Sequence, residues 1–268
     1  MPADQQRGFA MKAMIHTAAV LATVFSAVWM VESVFAEEPQ KGWKGNVEGG
    51  YIQTDGNNDS KTFSVAGKAE GDFGFGKLTA SGNGLYGKSK DQKTGVTTTS
   101  NKNWLGNLKY DQNLTERSYL FASETVERDT LKGIEIRYSH QGGLGYYLMK
   151  SDHDTLKVEA GAGYVNEHPV KPNRNKGYPA ARGYGEFVHN FTEKTRFEQW
   201  VEYLPNLKEG KDYVIREESA LITNLMGQFA LKASFLVVYD NLPPVTPAGT
   251  PGYQKSDRTF KTALIYTF

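Results

Sequence analysis

The segment Tyr138-Ser139-His140-Gln141-Gly142-Gly143 sets a serine hydroxyl beside an imidazole, the pair on which nucleophilic catalysis is built. In an extended chain successive side chains leave on opposite faces, so Ser139 and His140 cannot meet without a distortion. Gly142, on the face of His140, carries no hydroxyl. Asp55, Asn57 and Asp59 alternate oxygen ligands as a calcium loop does. The later glutamate of a helical calcium loop is absent, and residues 63–73 read as strand, so an Asx-rich hairpin turn accounts for the same residues. His153, His168 and His189 stand singly, without metal-ligand spacing. With no cysteine there is neither a disulfide scaffold nor a thiolate site. No catalytic, cofactor-binding or metal-binding residue is expected, and the chain is not expected to be an enzyme.

The remaining chemistry lies in charges that alternate with apolar residues. Lys44, Glu48, Lys68, Glu70, Asp72, Lys109, Glu135, Arg137, Lys157, Glu159, Arg216, Glu218, Lys232 and Lys261 each sit on the polar parity of a period-two segment. If those segments close into a barrel, these residues point into its lumen. Both signs occur on adjacent segments: Lys44 and Glu48 can face Lys68 and Glu70, and Glu135 and Arg137 can face Lys157 and Glu159. Two readings follow, a pore lining or ligand site and a self-neutralising packed lumen that supports the wall.

The elements that must position them are twelve strands. Strand two is the clearest: Phe63, Val65, Gly67, Ala69, Gly71 and Phe73 form an uncharged row, with aromatics at both ends as two membrane interfaces require. Strands one, three, four, six, seven, eleven and twelve also keep their apolar row free of charge, as lipid contact demands. In strand five Tyr119 and Phe121 are expected outward. Strands eight, nine and ten are less tidy. In strand ten Arg216 and Glu218 are expected inside, with a bulge or local protection near Glu217. Short connections follow the even-numbered strands. Longer polar loops are expected at residues 90–100, 168–178 and 241–254, the last with Pro243, Pro244, Pro247 and Pro251. That alternation suits an outer-membrane barrel with short periplasmic turns, and places Lys93 and Lys176 outside and Lys194 in the periplasm.

At the end of the chain Phe260, Leu264, Tyr266 and Phe268 share one face of a strand whose only polar member is Thr262. The row reads as the closing strand and as an assembly signal. At the start, residues 1–36 read as a cleaved signal peptide, with Arg7 and Lys12, a mostly apolar run over residues 13–31, and Val34-Phe35-Ala36 before the cleavage point. Met11 offers a second start with a conventional short signal, and the same run is long enough for a transmembrane helix. Residues 37–268 would then be one barrel domain. Hydrophobic content of 39% and mean hydropathy of −0.53 exclude a helical membrane protein but not a barrel, whose polar lumen hides the signal. A net charge of +1 argues against nucleic acid as a partner.

The Gly56-Asn57-Asn58-Asp59-Ser60 turn after the first strand, the Glu159-Ala160-Gly161-Ala162-Gly163-Tyr164 strand and the terminal Ile265-Tyr266-Thr267-Phe268, in that order, resemble the DUF481 family. Its members are described as salt-induced outer-membrane proteins of the YdiY type. The resemblance implies an all-β, antiparallel up-and-down transmembrane barrel in the outer membrane of a Gram-negative bacterium, with lipid and the barrel-assembly machinery as partners. It implies no reaction, cofactor or catalytic residue. The segment around His140 is similar in part to the active-site segment of outer-membrane phospholipase A, but has Gly142 where the serine belongs. The expected function is a narrow pore for ions or small solutes, induced by salt stress. The alternatives are a structural envelope barrel without transport and, further off, a lipid-active enzyme.

Overall fold

A computed structural model describes residues 42–54, 58–91, 94–246 and 252–268. The signal-peptide segment, the turn containing Asp55 and Asn57, Lys93, Pro247 and Pro251 lie outside the described residues. Twelve strands follow one another: β1 Gly42–Thr54, β2 Asn58–Asp72, β3 Gly76–Asp91, β4 Thr97–Asn113, β5 Ser118–Asp129, β6 Ile134–Lys150, β7 Asp154–Pro169, β8 Lys176–Asn190, β9 Thr195–Pro205, β10 Tyr213–Asn224, β11 Phe229–Asp240 and β12 Ser256–Thr267. Each pairs antiparallel with its neighbour in sequence, and β1 pairs with β12, so the sheet closes into a barrel with no free edge. Closure lets a sheet stand in lipid, because every strand finds its hydrogen-bond partners within the wall.

The wall follows from the period-two pattern. On the outer surface Val47, Val65, Leu144, Leu231 and Leu264 are exposed, as they would not be in water-facing strands. Aromatics gather toward both ends: Trp43 meets Phe73 edge-on at one end, and Tyr51 tilts against Phe63 at the other. The turn of residues 73–75 is tight because Gly74 takes φ of 78° while its N–H donates to Asp72 Oδ1 at 2.8 Å. The seam between β1 and β12 has four opposed pairs, from Asn46 with Thr267 to Gly49 with Leu264. It is extended by Phe268, whose N–H donates to the Gly45 carbonyl at 2.9 Å and whose carbonyl accepts from Gly45 N–H at 3.1 Å. The Phe268 ring lies over Gly45, where an added Cβ would stand 2.6 Å from Cζ.

Two of the long loops expected from sequence are shorter. β3 runs to Asp91 and β4 starts at Thr97, while β7 runs to Pro169 and β8 starts at Lys176. Polar composition ends the lipid-facing row but does not end the backbone ladder, which continues past the membrane. The β11–β12 connection remains long, and part of it folds over the barrel end. Asn173 Nδ2 donates to the Val245 carbonyl at 2.6 Å, and Val245 N–H donates to Asn173 Oδ1 at 2.9 Å. Lys132 reaches Asp257 at 3.2 Å. The connections after the even-numbered strands are short, the pattern expected of a periplasmic end.

Candidate functional site in the lumen

Parity carries the polar row of each strand inward, and the inward rows meet. Glu159 of β7 accepts from Lys109 Nζ of β4 at 2.7 Å and from Tyr119 Oη of β5 at 2.6 Å, and pairs with Arg182 of β8. Lys109 also pairs with Asp111. Arg182 Nε donates to Glu202 of β9 at 2.8 Å, and Glu202 accepts from Arg216 of β10 at 2.9 Å. Arg216 Nη2 then reaches Glu127 of β5 at 2.6 Å. Strands β5 and β10 are five places apart in a twelve-stranded ring, so this bond crosses the lumen. Glu127 also pairs with Arg137 of β6, whose Nε donates to Glu167 of β7 at 2.7 Å. Glu167 and Asp212 share Lys176, at 3.4 and 3.2 Å.

From Asp111 to Asp212 the charges alternate in sign without a break. Alternation makes burial tolerable: each charge removed from water is met by opposite charge on two sides. Glu167 keeps 1% of its surface exposed and Glu159 4%. The rings of Tyr119 and Phe121 complete the packing, with Lys109 5.1 Å from the Tyr119 centroid and Arg182 5.1 Å from that of Phe121.

The residues singled out in the sequence, Glu135 aside, fall into five places. Lys109, Arg137, Glu159 and Arg216 belong to this alternating network. Lys157 pairs with Glu186 at 2.9 Å just outside it. Glu48, Glu218, Lys232 and Lys261 form a smaller cluster, with Lys232 between Glu48 at 3.5 Å and Glu218 at 3.4 Å, and Lys261 at 3.4 Å from Glu218. Lys44, Lys68, Glu70 and Asp72 line recesses at the mouth that carries the short turns. Phe260, Leu264, Tyr266 and Phe268 all lie exposed on the outer face beside the seam.

Several expectations are corrected. Glu135 is not in the lumen. Ile134 opposes Pro169 and Ile136 opposes His168, which leaves Glu135 as the extra residue of a bulge; it is half-exposed and pairs with Arg128 at 2.6 Å. Tyr119 and Phe121 face inward, with 3% and 4% exposure, because the cationic network takes their rings and Leu120 holds the lipid side. Arg137 faces Glu167, not Glu159, since β7 continues past Tyr164. Lys44 opposes Glu70 as expected, but Glu48 opposes Ala66 and finds its cation on β11. At Glu217 the β9–β10–β11 register has no shift; Gln199 Nε2 donates to its carboxylate at 3.1 Å and gives local protection without a bulge.

Glu127, Glu167, Lys176, Arg182 and Glu202 were not among the sequence candidates. Glu167 lies on the parity of Lys157 and Glu159, and extending strand seven would have found it. Arg182 and Glu202 share the inward parity of β8 and β9, where the outer rows are too mixed to fix the face by hydrophobicity alone. Ser139 and His140 stay apart: Ser139 is buried inward and accepts from Gln141, while His140 faces outward against Glu124.

The family model for DUF481, a protein family of unknown function, matches residues 47–268, the whole barrel apart from the start of β1. The chain belongs to the DUF481 family. A relative from Escherichia coli K12, the uncharacterized protein YdiY, is 24% identical over 205 residues, covering 76% of this chain and 77% of that one. Among solved structures the NanC porin aligns with a TM-score of 0.50 at 9% identity, over 83% of this chain and 98% of that one. The translocator domain of the autotransporter NalP from Neisseria meningitidis aligns at a TM-score of 0.41 and 10% identity, over 96% and 98%. The closed ring and the apolar outer face give this DUF481 chain the build of an outer-membrane β-barrel.

Proposed function

We propose that the barrel is a narrow pore for ions and small solutes, open along one side of its lumen. The observation that carries this reading is the unequal filling of the interior. The inward side chains of β5–β10 interlock across the lumen. By contrast, none of the described inward side chains of β1–β3 is buried, and Ser64, Ala66, Thr79, Ser81 and Asn83 are all small. Asn83 is exposed although it points into the barrel. Twelve strands enclose more space than the eight-stranded barrel that side chains fill, and less than a wide diffusion porin. The alternating network takes one part of that space and leaves a polar crevice along the other.

A second reading draws on the bond between Arg216 and Glu127 and on the loop contact between Asn173 and Val245, which together favour a closed barrel that only supports the envelope. Reversal potentials in a potassium chloride gradient separate the two. The parent should conduct in small steps with weak ion preference. Replacing Glu48 and Glu70, both on the open side, by Gln should shift selectivity toward anions. Absence of conductance in both forms would support the closed barrel.

A further inference from the structure

At the end of the barrel that carries the short turns, a chamber of about 400 Å³ lies between β1–β2 and β9–β11, within the size range of small-molecule sites. Its charged lining is Lys44, Lys68, Arg196 and Glu70, three cations to one carboxylate. The carboxylate is already engaged: Glu70 is shared by Lys68 at 3.2 Å and Lys77 at 3.3 Å. Lys44 has no ion-pair partner among the described residues. Arg196 uses Nε toward Glu198 at 2.6 Å, which leaves the two Nη groups of its fork for another acceptor. Arg196 and Lys68 stand on strands five places apart around the ring, so the cations enclose the chamber from opposite walls and do not lie along one face. The walls between them carry the amides of Asn46 and Asn224, neutral groups that donate and accept hydrogen bonds.

A recess walled by a low-dielectric barrel and lined by one excess sign concentrates ions of the other sign. We infer that this chamber is a binding site for a small hydrophilic organic anion, a carboxylate or a phosphate monoester, approached from the periplasm. Lys44 and the Arg196 fork would hold the anionic group, with Lys68 as the third cation, and Asn46 and Asn224 would meet neutral polar groups of the same molecule. The smaller recess of about 200 Å³ at the same end is different. Lys77, Arg117 and Lys150 are balanced there by Asp72, Asp111 and Glu116, so it has no excess to offer an anion.

Binding in detergent does not require conduction, so this site and the pore reading can fail separately. The test is calorimetric titration of refolded protein at low salt with gluconate, glucose 6-phosphate and glucose. Both anions, or one of them, should bind saturably and weaken as salt rises, and glucose should not bind. The variant Lys44→Gln should weaken binding about tenfold, and the triple variant with Lys68→Gln and Arg196→Gln by more than about a hundredfold, the loss expected for charge-assisted contacts. Lys150→Gln in the balanced recess should leave binding unchanged, and heat-modifiable migration should show that all variants fold. Saturation by only one of the two anions assigns the site to that acid group. Equal response to glucose, no saturable response to either anion, or undiminished binding by the folded triple variant would overturn the inference.

Discussion

The β5–β10 wall and the β1–β3 wall are built on the same alternation, yet they fill the lumen differently. On the first, inward positions carry long charged and aromatic side chains that reach one another, and Arg137, Glu159, Glu167 and Arg182 are buried. On the second, inward positions are mostly Gly, Ala, Ser, Thr and Asn, and Lys68 keeps 48% of its side chain exposed even though it contacts Glu70. Period two decides which residues face inward. Side-chain length and charge then decide whether the inside is a core or a passage. A buried charge is held by its neighbours and cannot be removed singly, whereas a lumen-exposed one exchanges its partner for water at little cost.

The largest effect should come where the open side closes the barrel. β1 and β12 share few opposed pairs, and Phe268 adds two backbone hydrogen bonds and a ring over Gly45. Deleting Phe268 should strongly reduce the fraction of protein that assembles in cells, measured by heat-modifiable migration, while Thr267→Ser should assemble normally. Equal assembly of the two would mean that Phe268 does not hold the seam.

The contrast between the walls can be measured directly as stability. Arg137→Ala leaves Glu127 and Glu167 buried without their shared cation and should cost about 3–5 kcal/mol. Lys68→Ala on the open side should cost less than about 1 kcal/mol. Urea unfolding of refolded barrels gives both values. Similar losses at the two positions would mean that the walls do not differ in kind.

A smaller effect is expected on the outer face of the packed side, where Glu124 and His140 meet on the lipid surface between Leu108 of β4 and Tyr164 of β7. His140→Leu alone leaves a lipid-facing carboxylate without its partner and should cost roughly 1–3 kcal/mol. Adding Glu124→Leu should restore stability to within about 1 kcal/mol of the parent, because the pair is then replaced by apolar surface. The same unfolding assay closes the double-mutant cycle, and additive losses would show that the two side chains do not support each other.

Much of this was legible in the sequence. The uncharged rows of strands four, six and seven fix the outer face there, and the inward parity of Lys109, Arg137 and Glu159 follows from them. Three things were not legible. The bulge that turns Glu135 outward depends on how Ile134 and Ile136 oppose Pro169 and His168 across the β6–β7 pair, which no single strand reveals. The inward turn of Tyr119 and Phe121 reverses the usual rule that aromatics seek lipid, because the cations that attract them come from β4 and β8. The bond from Arg216 to Glu127 joins residues 89 positions apart, and only closure of the ring brings them together. Parity assigns a residue to the lumen, but it does not say which residue it meets there.

The proposed pore needs a passage along β1–β3 beside the packed layer on β5–β10, and a bulky side chain on the β1–β3 side should block it. Ser81 points into the open side, opposite Lys68 of β2 and Asn107 of β4. Single-channel recording of refolded protein in planar bilayers, parent against Ser81→Trp, reads the passage itself. Small, well-defined conductance steps in the parent and their loss in the correctly folded Ser81→Trp barrel are the expected result. A silent parent, or steps of unchanged size in the Ser81→Trp barrel, would contradict it.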